Sequence, residues 1–132
     1  MLQPRAADPA SFDPEELGAT ALTAFFNITA AWGLAAEEER TLLGSPPRST
    51  FFKWKSERAA RLSPHTLERI SYVMGIYKAL RILLPTEEAA HDWVKKPNSA
   101  RGFNGKSALD RMLAGRVMDL ADVRRYLDAE RG

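Results

Sequence analysis

Apolar residues recur every three or four positions between Ser63 and Pro85, and this spacing predicts a long central helix. Ser63 can cap its N-terminus, Pro64 suits the first helical position, where no backbone N–H is needed, and Pro85 should end it. The apolar positions form two neighbouring stripes, which are Leu67, Ile70, Met74, Tyr77, Leu80 and Leu84 on one face and Tyr72, Ile76, Ala79 and Leu83 beside them. A helix with this much apolar surface must be covered from two directions. We therefore expect it to form the shared wall of two half-domains.

Two helices are expected at the start of the chain. Asp13 and Pro14 are typical of a helix start, and apolar residues follow at core spacing until Gly33 ends the pattern. These core positions are Leu17, Ala21, Phe25, Ile28 and Trp32. Residues 34–43 then predict a short helix that Gly44 closes. Three glutamates of this second helix are expected to face water, namely Glu37, Glu38 and Glu39.

A basic segment follows the turn of residues 44–47. Residues 47–57 predict a third helix with Ser49 and Thr50 in its first turns, and its apolar anchors are Phe51, Phe52 and Trp54. A short helix, a tight turn with glycine and a basic helix make up the order of a helix-turn-helix DNA reader, whose second helix enters the major groove. An exposed helix of a simple bundle has the same features, so both interpretations stay open at this point.

Three more helices are expected after Pro85. Thr86 can cap the first, Ser107 and Asp110 have the spacing of a capping box for the second, and the third should begin near Asp119. β-branched residues are scarce beside Ala, Leu, Glu and Arg. The sequence therefore predicts an all-α fold in which a helix-turn-helix half and a small C-terminal helical half share the long central helix.

The length of 132 residues allows one core, or two small lobes on a shared helix, but not two independent domains. We expect a flexible tail over residues 1–13, a helix-turn-helix domain over residues 14–84 and a second unit over residues 85–132. The chain has no cysteine, which excludes disulfides and thiolate metal sites. It also has no apolar run long enough for a bilayer and no signal-peptide pattern near Met1, so a cytoplasmic protein is expected.

Charge is distributed unevenly along the chain. Residues 1–47 hold two Arg against seven Asp and Glu, a balance of −5, whereas residues 48–82 hold eight Lys and Arg against two Glu, a balance of +6. The remaining residues have a balance of +1. A basic middle third is what a surface that meets phosphate requires, although a solvated basic face would give the same count.

Two further sets of residues follow one another along the chain. The first consists of Trp32, Gly33, Leu34, Leu42, Leu43, Gly44, Thr50, Trp54, Leu62, Ser63, Leu67, Glu68, Arg69, Ile70, Ile76, Tyr77 and Leu80. The second consists of Trp93, Pro97, Asn98, Phe103, Gly105, Ser107, Ala108, Leu109, Leu113, Gly115, Val123, Tyr126 and Leu127. In order and spacing they resemble the Xre-like helix-turn-helix half and the toxin-binding domain of the Xre/MbcA/ParS antitoxins. The resemblance covers about residues 16–132, and Pro46 and Pro47 depart from it at the start of the recognition helix.

The resemblance implies an inhibitor that also binds DNA. Such antitoxins cover the active site of a RES-domain toxin, which attacks NAD or transfers its ADP-ribose, and they repress their own promoter. The implied partners are a RES-domain toxin, operator DNA and a second copy of the chain in a homodimer, with no membrane and no cofactor. The residues expected to contact DNA are Arg48, Ser49, Thr50, Lys53, Lys55 and Arg58. Those expected to contact the toxin are Asn98, Phe103, Leu113, Val117, Arg124, Tyr126 and Arg131.

The residues that could support catalysis have simpler explanations. His65 and His91 are isolated from each other in the sequence, and each is explained as a surface or capping residue. The segment 105–107 imitates the end of a phosphate-binding loop, but Ala100 stands where that motif needs glycine. We therefore expect no enzyme and no metal site. The alternative function is a stand-alone helix-turn-helix transcriptional regulator with residues 86–132 as a dimerisation or effector module.

Overall fold

The computed structural model describes residues 13–132. Over this range the chain forms seven α-helices: α1 Pro14–Ala31, α2 Ala36–Leu42, α3 Arg48–Glu57, α4 Pro64–Leu83, α5 Glu87–Trp93, α6 Ala108–Met112 and α7 Val117–Glu130. Within the same residues the only β-type pairing is an isolated antiparallel bridge between Pro97 and Ser107. The predicted all-α class is confirmed. The predicted flexible tail lies outside the described residues, except for Asp13, which caps α1.

The central helix α4 has the predicted start and end. The hydroxyl of Ser63 accepts the backbone N–H of Thr66 at 3.2 Å, and Leu84 turns the chain into an extended conformation before Pro85. α4 packs against both α1 and α7, so the expectation of a helix shared by the two halves is confirmed. Met74 was expected in the core stripe and is instead exposed.

The first helix closes tightly on the connection between α3 and α4. A Cβ atom built on Gly18 would lie 1.7 Å from the carbonyl oxygen of Ala60, so only glycine allows this approach of two backbones. Leu17 was predicted to face the core, but it is exposed because the buried side of α1 at this turn is the one with Gly18.

Aromatic residues fill the core of each half. In the helix-turn-helix half, Phe26 of α1 lies edge-on to Phe51 of α3, with 5.9 Å between the ring centroids. In the C-terminal half, Trp93, Phe103 and Tyr126 form a second cluster in which each ring lies within 6.4 Å of the other two. All buried apolar side chains of the described residues belong to one continuous core.

Two acidic residues are buried, which the sequence did not predict. Glu39 of α2 was expected to face water but is only 3% exposed. Asp119 was expected near the start of the last helix, yet α7 begins two residues earlier, and the side chain of Asp119 is fully buried.

Candidate DNA-binding and partner-binding surfaces

The turn between α2 and α3 is held by a small network of charged groups. Arg40 donates from Nη1 to the carbonyl oxygen of Pro46 at 2.7 Å and from Nε to Glu37 at 3.2 Å. Arg48, the first residue of α3, donates from Nε to the other carboxylate oxygen of Glu37 at 2.9 Å. These two arginines, Arg48 most strongly, hold the pKa of Glu37 below its ordinary value. The bond from Arg40 to Pro46 is part-buried and holds the turn, whereas the pair of Arg48 and Glu37 lies in solvent and contributes little.

One side of α3 points away from the core. Apart from Glu57 at the C-terminal end of the helix, its exposed residues are Arg48, Ser49, Phe52, Lys53 and Ser56. We call these five residues the outward face of α3. It includes three of the six residues predicted to contact DNA, whereas Thr50 lies half-buried at its edge. The cations of the outward face stand where a helix-turn-helix reader presents its side chains to the major groove.

Lys55 and Arg58 lie on the other side of α3 and make contacts within the protein. The Nζ atom of Lys55 donates to the carboxylate of buried Glu39 at 2.6 Å, and the hydroxyl of Thr29 donates to the same carboxylate at 2.5 Å. The guanidinium of Arg58 lies over the ring of Phe26, 4.9 Å from its centroid. Both cations therefore join α3 to α1 and α2, which the sequence count of basic residues did not reveal.

The C-terminal half is organised around Asp119. Its carboxylate accepts N–H groups from the side chain of Arg111 at 3.1 Å and from the backbone and side chain of Arg116 at 2.9 to 3.1 Å. Arg111 also donates to Asp122 and, at 2.9 Å, to the carbonyl oxygen of Gly102. One buried carboxylate thus ties α6, the start of α7 and the loop before α6 together.

These contacts determine the charge state of Asp119. The bonds from Arg116 lower the pKa of Asp119, with a further contribution from Arg111, and outweigh the burial that would raise it. The same pair raises the pKa of Arg116. Asp119 is therefore ionised in the folded protein at neutral pH.

The residues predicted to contact a toxin differ in how far they are buried. Phe103 is buried, and Tyr126 and Asn98 are half-buried, the latter with its side-chain oxygen bound to the backbone N–H of Ala100. Leu113, Val117 and Arg124 are also half-buried, whereas Arg131 is exposed. Sequence reasoning missed Met118, which is 60% exposed. The helical period could have found it, because Met118 lies four residues before Asp122 and seven before Arg125, on the polar face of α7.

Arg69 of α4 connects the two halves. It donates from Nη2 to the carbonyl oxygen of Gly115, in the turn between α6 and α7, at 2.8 Å. Nη1 donates to the carbonyl oxygen of Leu42, at the end of α2, at 3.4 Å, and the side chain packs against Gly44. The helix-turn-helix turn and the turn before α7 therefore share one arginine.

Residues 13–132 contain no cluster of three or more acidic, histidine or cysteine side chains that could hold a metal ion. The helices described here also include none with the length and apolar character that a membrane crossing requires.

Comparison with known proteins assigns both halves. Residues 11–75 match the model of the antitoxin Xre-like helix-turn-helix domain, and residues 79–132 match that of the antitoxin Xre/MbcA/ParS C-terminal toxin-binding domain. The chain is also similar to the uncharacterized protein y4oB of Sinorhizobium fredii (strain NBRC 101917 / NGR234), with 54% identity over 111 residues that cover 84% of each chain. The helix order, the turn before α3 and these two matches agree with the resemblance seen in the sequence. The chain belongs to the Xre-type antitoxins, with a helix-turn-helix domain and a toxin-binding domain.

Proposed function

We propose that this antitoxin neutralises a RES-domain toxin that consumes NAD or transfers its ADP-ribose, and that it represses its own operon in the cytoplasm as a homodimer. The observation that carries the proposal is the pairing of the two matched domains on one helix, α4, with α3 and α7 each presenting an exposed face. We further propose that the domain boundary lies at the end of α4, near residue 84.

The DNA-binding half of the proposal rests on the outward face of α3. Lys53 is exposed there and lies beside Ser49, one turn earlier. A lysine that contacts phosphate releases counterions, so its loss should lower affinity for all sequences and reduce the salt dependence by about one unit of slope.

The test measures binding of a fluorescent promoter fragment at several salt concentrations. Lys53→Met should bind more weakly with a flatter salt dependence than the parent chain. Lys55 serves as the matched control, because Lys55→Met removes the same charge from the side of α3 that pairs with Glu39, so it should lower stability but keep the salt slope of the parent chain. An unchanged slope for Lys53→Met would contradict the assignment of this face.

The toxin-binding half of the proposal rests on residues 98–132. Removing the end of α7 is not a suitable test, because Leu120, Val123 and Leu127 are core residues. Exposed positions are better: Met118 on α7 and Arg131 just beyond its end can be changed without opening the core. Met118 is a large exposed apolar side chain in the matched toxin-binding domain, and a partner that buries it would gain the hydrophobic free energy of its area.

The test uses the product of the gene beside this one, co-expressed with the antitoxin while cellular NAD is measured. The parent chain should preserve NAD, and Met118→Asp with Arg131→Ala should not, although its circular dichroism stays the same. Full protection by this folded variant would place the inhibitory contact elsewhere. A neighbouring product that neither binds the chain nor consumes NAD would favour the stand-alone regulator.

Self-association is proposed to use the groove between α1 and α4. This groove has a volume of about 440 Å³ and is lined by apolar side chains that include Ile28, Met74 and Tyr77. A helix-turn-helix unit reads one half-site, and two-fold operators match two-fold dimers. Sedimentation of the parent chain should show a dimer, and Met74→Lys should convert it to a monomer. A parent chain that stays monomeric with and without DNA would contradict the proposed dimer.

A further inference from the structure

An aromatic side chain stands in the middle of the outward face of α3. Phe52 is 50% exposed, although its neighbour Phe51 is fully buried. Ser49 precedes Phe52 by three residues and Ser56 follows it by four, so all three lie on one side of the helix. The ring is therefore part of the surface that α3 presents, and it is not a core anchor as the sequence suggested.

The ring of Phe52 is held in place from one side. Its centroid lies 5.1 Å from that of Phe51, and the ring planes meet at 73°, an edge-to-face arrangement. Phe51 in turn contacts Phe26 of α1. Because Phe51 is anchored in the core, the exposed ring is oriented before any partner binds.

The surroundings of Phe52 indicate the chemistry of its partner. Arg48 and Lys53 provide cations, Ser49 and Ser56 provide hydroxyls, and Glu57 adds one carboxylate at the C-terminal end of the helix. The nearby carboxylate of Glu37 is already bound by Arg48 and Arg40. An apolar partner protein would offer Lys53 no counter-charge, whereas duplex DNA offers phosphates to both Lys53 and Arg48. In the major groove the apolar group is the C5-methyl of thymine, and phenylalanine is one of the side chains that contact it.

We infer that Phe52 packs on the methyl group of a thymine in the operator and makes this antitoxin select thymine at that position. The inference rests on the proposed DNA binding by α3 and deepens it. Lys53 and Arg48 position the helix through phosphates, which carry no sequence information, whereas Phe52 reads a base.

The experiment replaces each thymine of the promoter fragment, one at a time, with deoxyuridine, which lacks only the methyl group. With the parent chain, replacement at one position in each half-site should lower the affinity about fourfold, because the burial of one methyl group is lost. Phe52→Ala should bind the thymine fragment more weakly and bind the thymine and deoxyuridine fragments equally. Phe52→Leu, which keeps part of the apolar contact, should fall between the two.

Lys53→Met is the matched control, since it should flatten the salt dependence and keep the full deoxyuridine effect. Circular dichroism of each variant checks that the fold is intact. Promoter binding with an unchanged deoxyuridine effect in Phe52→Ala would overturn the inference and leave the proposed function in place. Loss of dimerisation or toxin binding in Phe52→Ala, with DNA binding unaltered, would also overturn it. A parent chain without promoter binding would overturn both.

Discussion

Within residues 13–132, each half of the molecule contains one buried carboxylate, and the two are neutralised in different ways. Glu39 receives one cation, Lys55, and one hydroxyl. Asp119 receives two arginines and a backbone N–H. The cation of Glu39 comes from α3. The arginines of Asp119 are Arg111 of α6 and Arg116, the residue that precedes α7.

The difference shows what each carboxylate organises. Glu39 fixes one side of α3 against α1 and α2, so the opposite side is presented at a constant angle. Asp119, through Arg111, also holds the carbonyl of Gly102 and therefore the loop between α5 and α6. That half has few helical turns of its own, and its shape depends more heavily on one network. We therefore expect that loss of the Asp119 carboxylate lowers the free energy of unfolding more than loss of the charge that pairs with Glu39.

The largest effect is expected for Asp119→Asn. The amide keeps one oxygen but turns a donor toward arginine N–H groups, so at least one charge-assisted bond is lost and a donor is left unpaired. Hydrogen bonds to charged groups contribute about 1.5–3 kcal/mol each, and the free energy of unfolding should fall by about 3 kcal/mol. Urea unfolding followed by circular dichroism measures this.

Asp128→Asn is the matched control for Asp119→Asn. Asp128 lies on the same helix and pairs with Arg124 on the surface, where an ion pair contributes less than about 1 kcal/mol. Equal losses for the two variants would mean that Asp119 does not organise the C-terminal half.

The same comparison predicts a dependence on pH. Because folding lowers the pKa of Asp119 from its ordinary value of 3.8, its stabilising contribution is complete above that value and is lost as pH falls through the lower folded pKa. The free energy of unfolding of the parent chain should therefore fall as pH drops below about 4. Asp119→Asn should show a shallower fall over this range. Parallel curves for the two proteins would show that other groups cause the acid sensitivity.

A smaller loss in the free energy of unfolding is expected in the helix-turn-helix half. Lys55→Met keeps the aliphatic length beside Phe26 and Phe51 but removes the charge that Glu39 needs, and it should lower the free energy of unfolding by about 1–3 kcal/mol. Lys53→Met, on the outward face, should stay within about 0.5 kcal/mol of the parent. Thermal or urea unfolding of both variants decides this. A change in the free energy of unfolding of less than about 0.5 kcal/mol for Lys55→Met would mean that Glu39 finds another partner.

Local signals were sufficient to predict most of the helices. Ser63, Thr86 and Ser107 cap the helices expected of them, and each accepts the N–H group three residues ahead. A cap depends on neighbours within one turn, and sequence shows those directly. The family was also recognisable, because its pattern extends over nearly the whole chain.

Tertiary partners were not predictable in the same way. Glu39 sits in a run of three glutamates, and only the packing of α1 and α3 decides which of them is buried. Lys53 and Lys55 look alike in the sequence, yet the helix turns one toward solvent and the other toward Glu39. Phe51 and Phe52 differ in the same way. Which member of such a pair faces inward is decided by contacts between distant residues, and the candidate site depends on that choice.

A small net effect from two opposing contributions is expected at Gly75, where the C-terminal half meets the shared helix. A Cβ atom there would lie 1.7 Å from Nη1 of Arg124, the same distance that separates a Cβ on Gly18 from a backbone oxygen. The end of an arginine side chain can rotate away, whereas the backbone carbonyl at Ala60 cannot. This rotation breaks the surface ion pair between Arg124 and Asp128, which contributes less than about 1 kcal/mol. In the opposite direction, alanine is more stable than glycine inside a helix by about 0.5–1 kcal/mol.

Gly75→Ala should therefore change the free energy of unfolding by less than about 1 kcal/mol while it displaces the guanidinium of Arg124. If the position of that guanidinium matters for toxin binding, Gly75→Ala and Arg124→Ala should weaken toxin inhibition to the same extent. Urea unfolding and the NAD assay, run on both variants, separate the effect on stability from the effect on toxin inhibition. A loss of more than about 2 kcal/mol in Gly75→Ala would mean that Arg124 is as fixed as a backbone atom, and that the contact between α4 and α7 is as rigid as the one between α1 and Ala60.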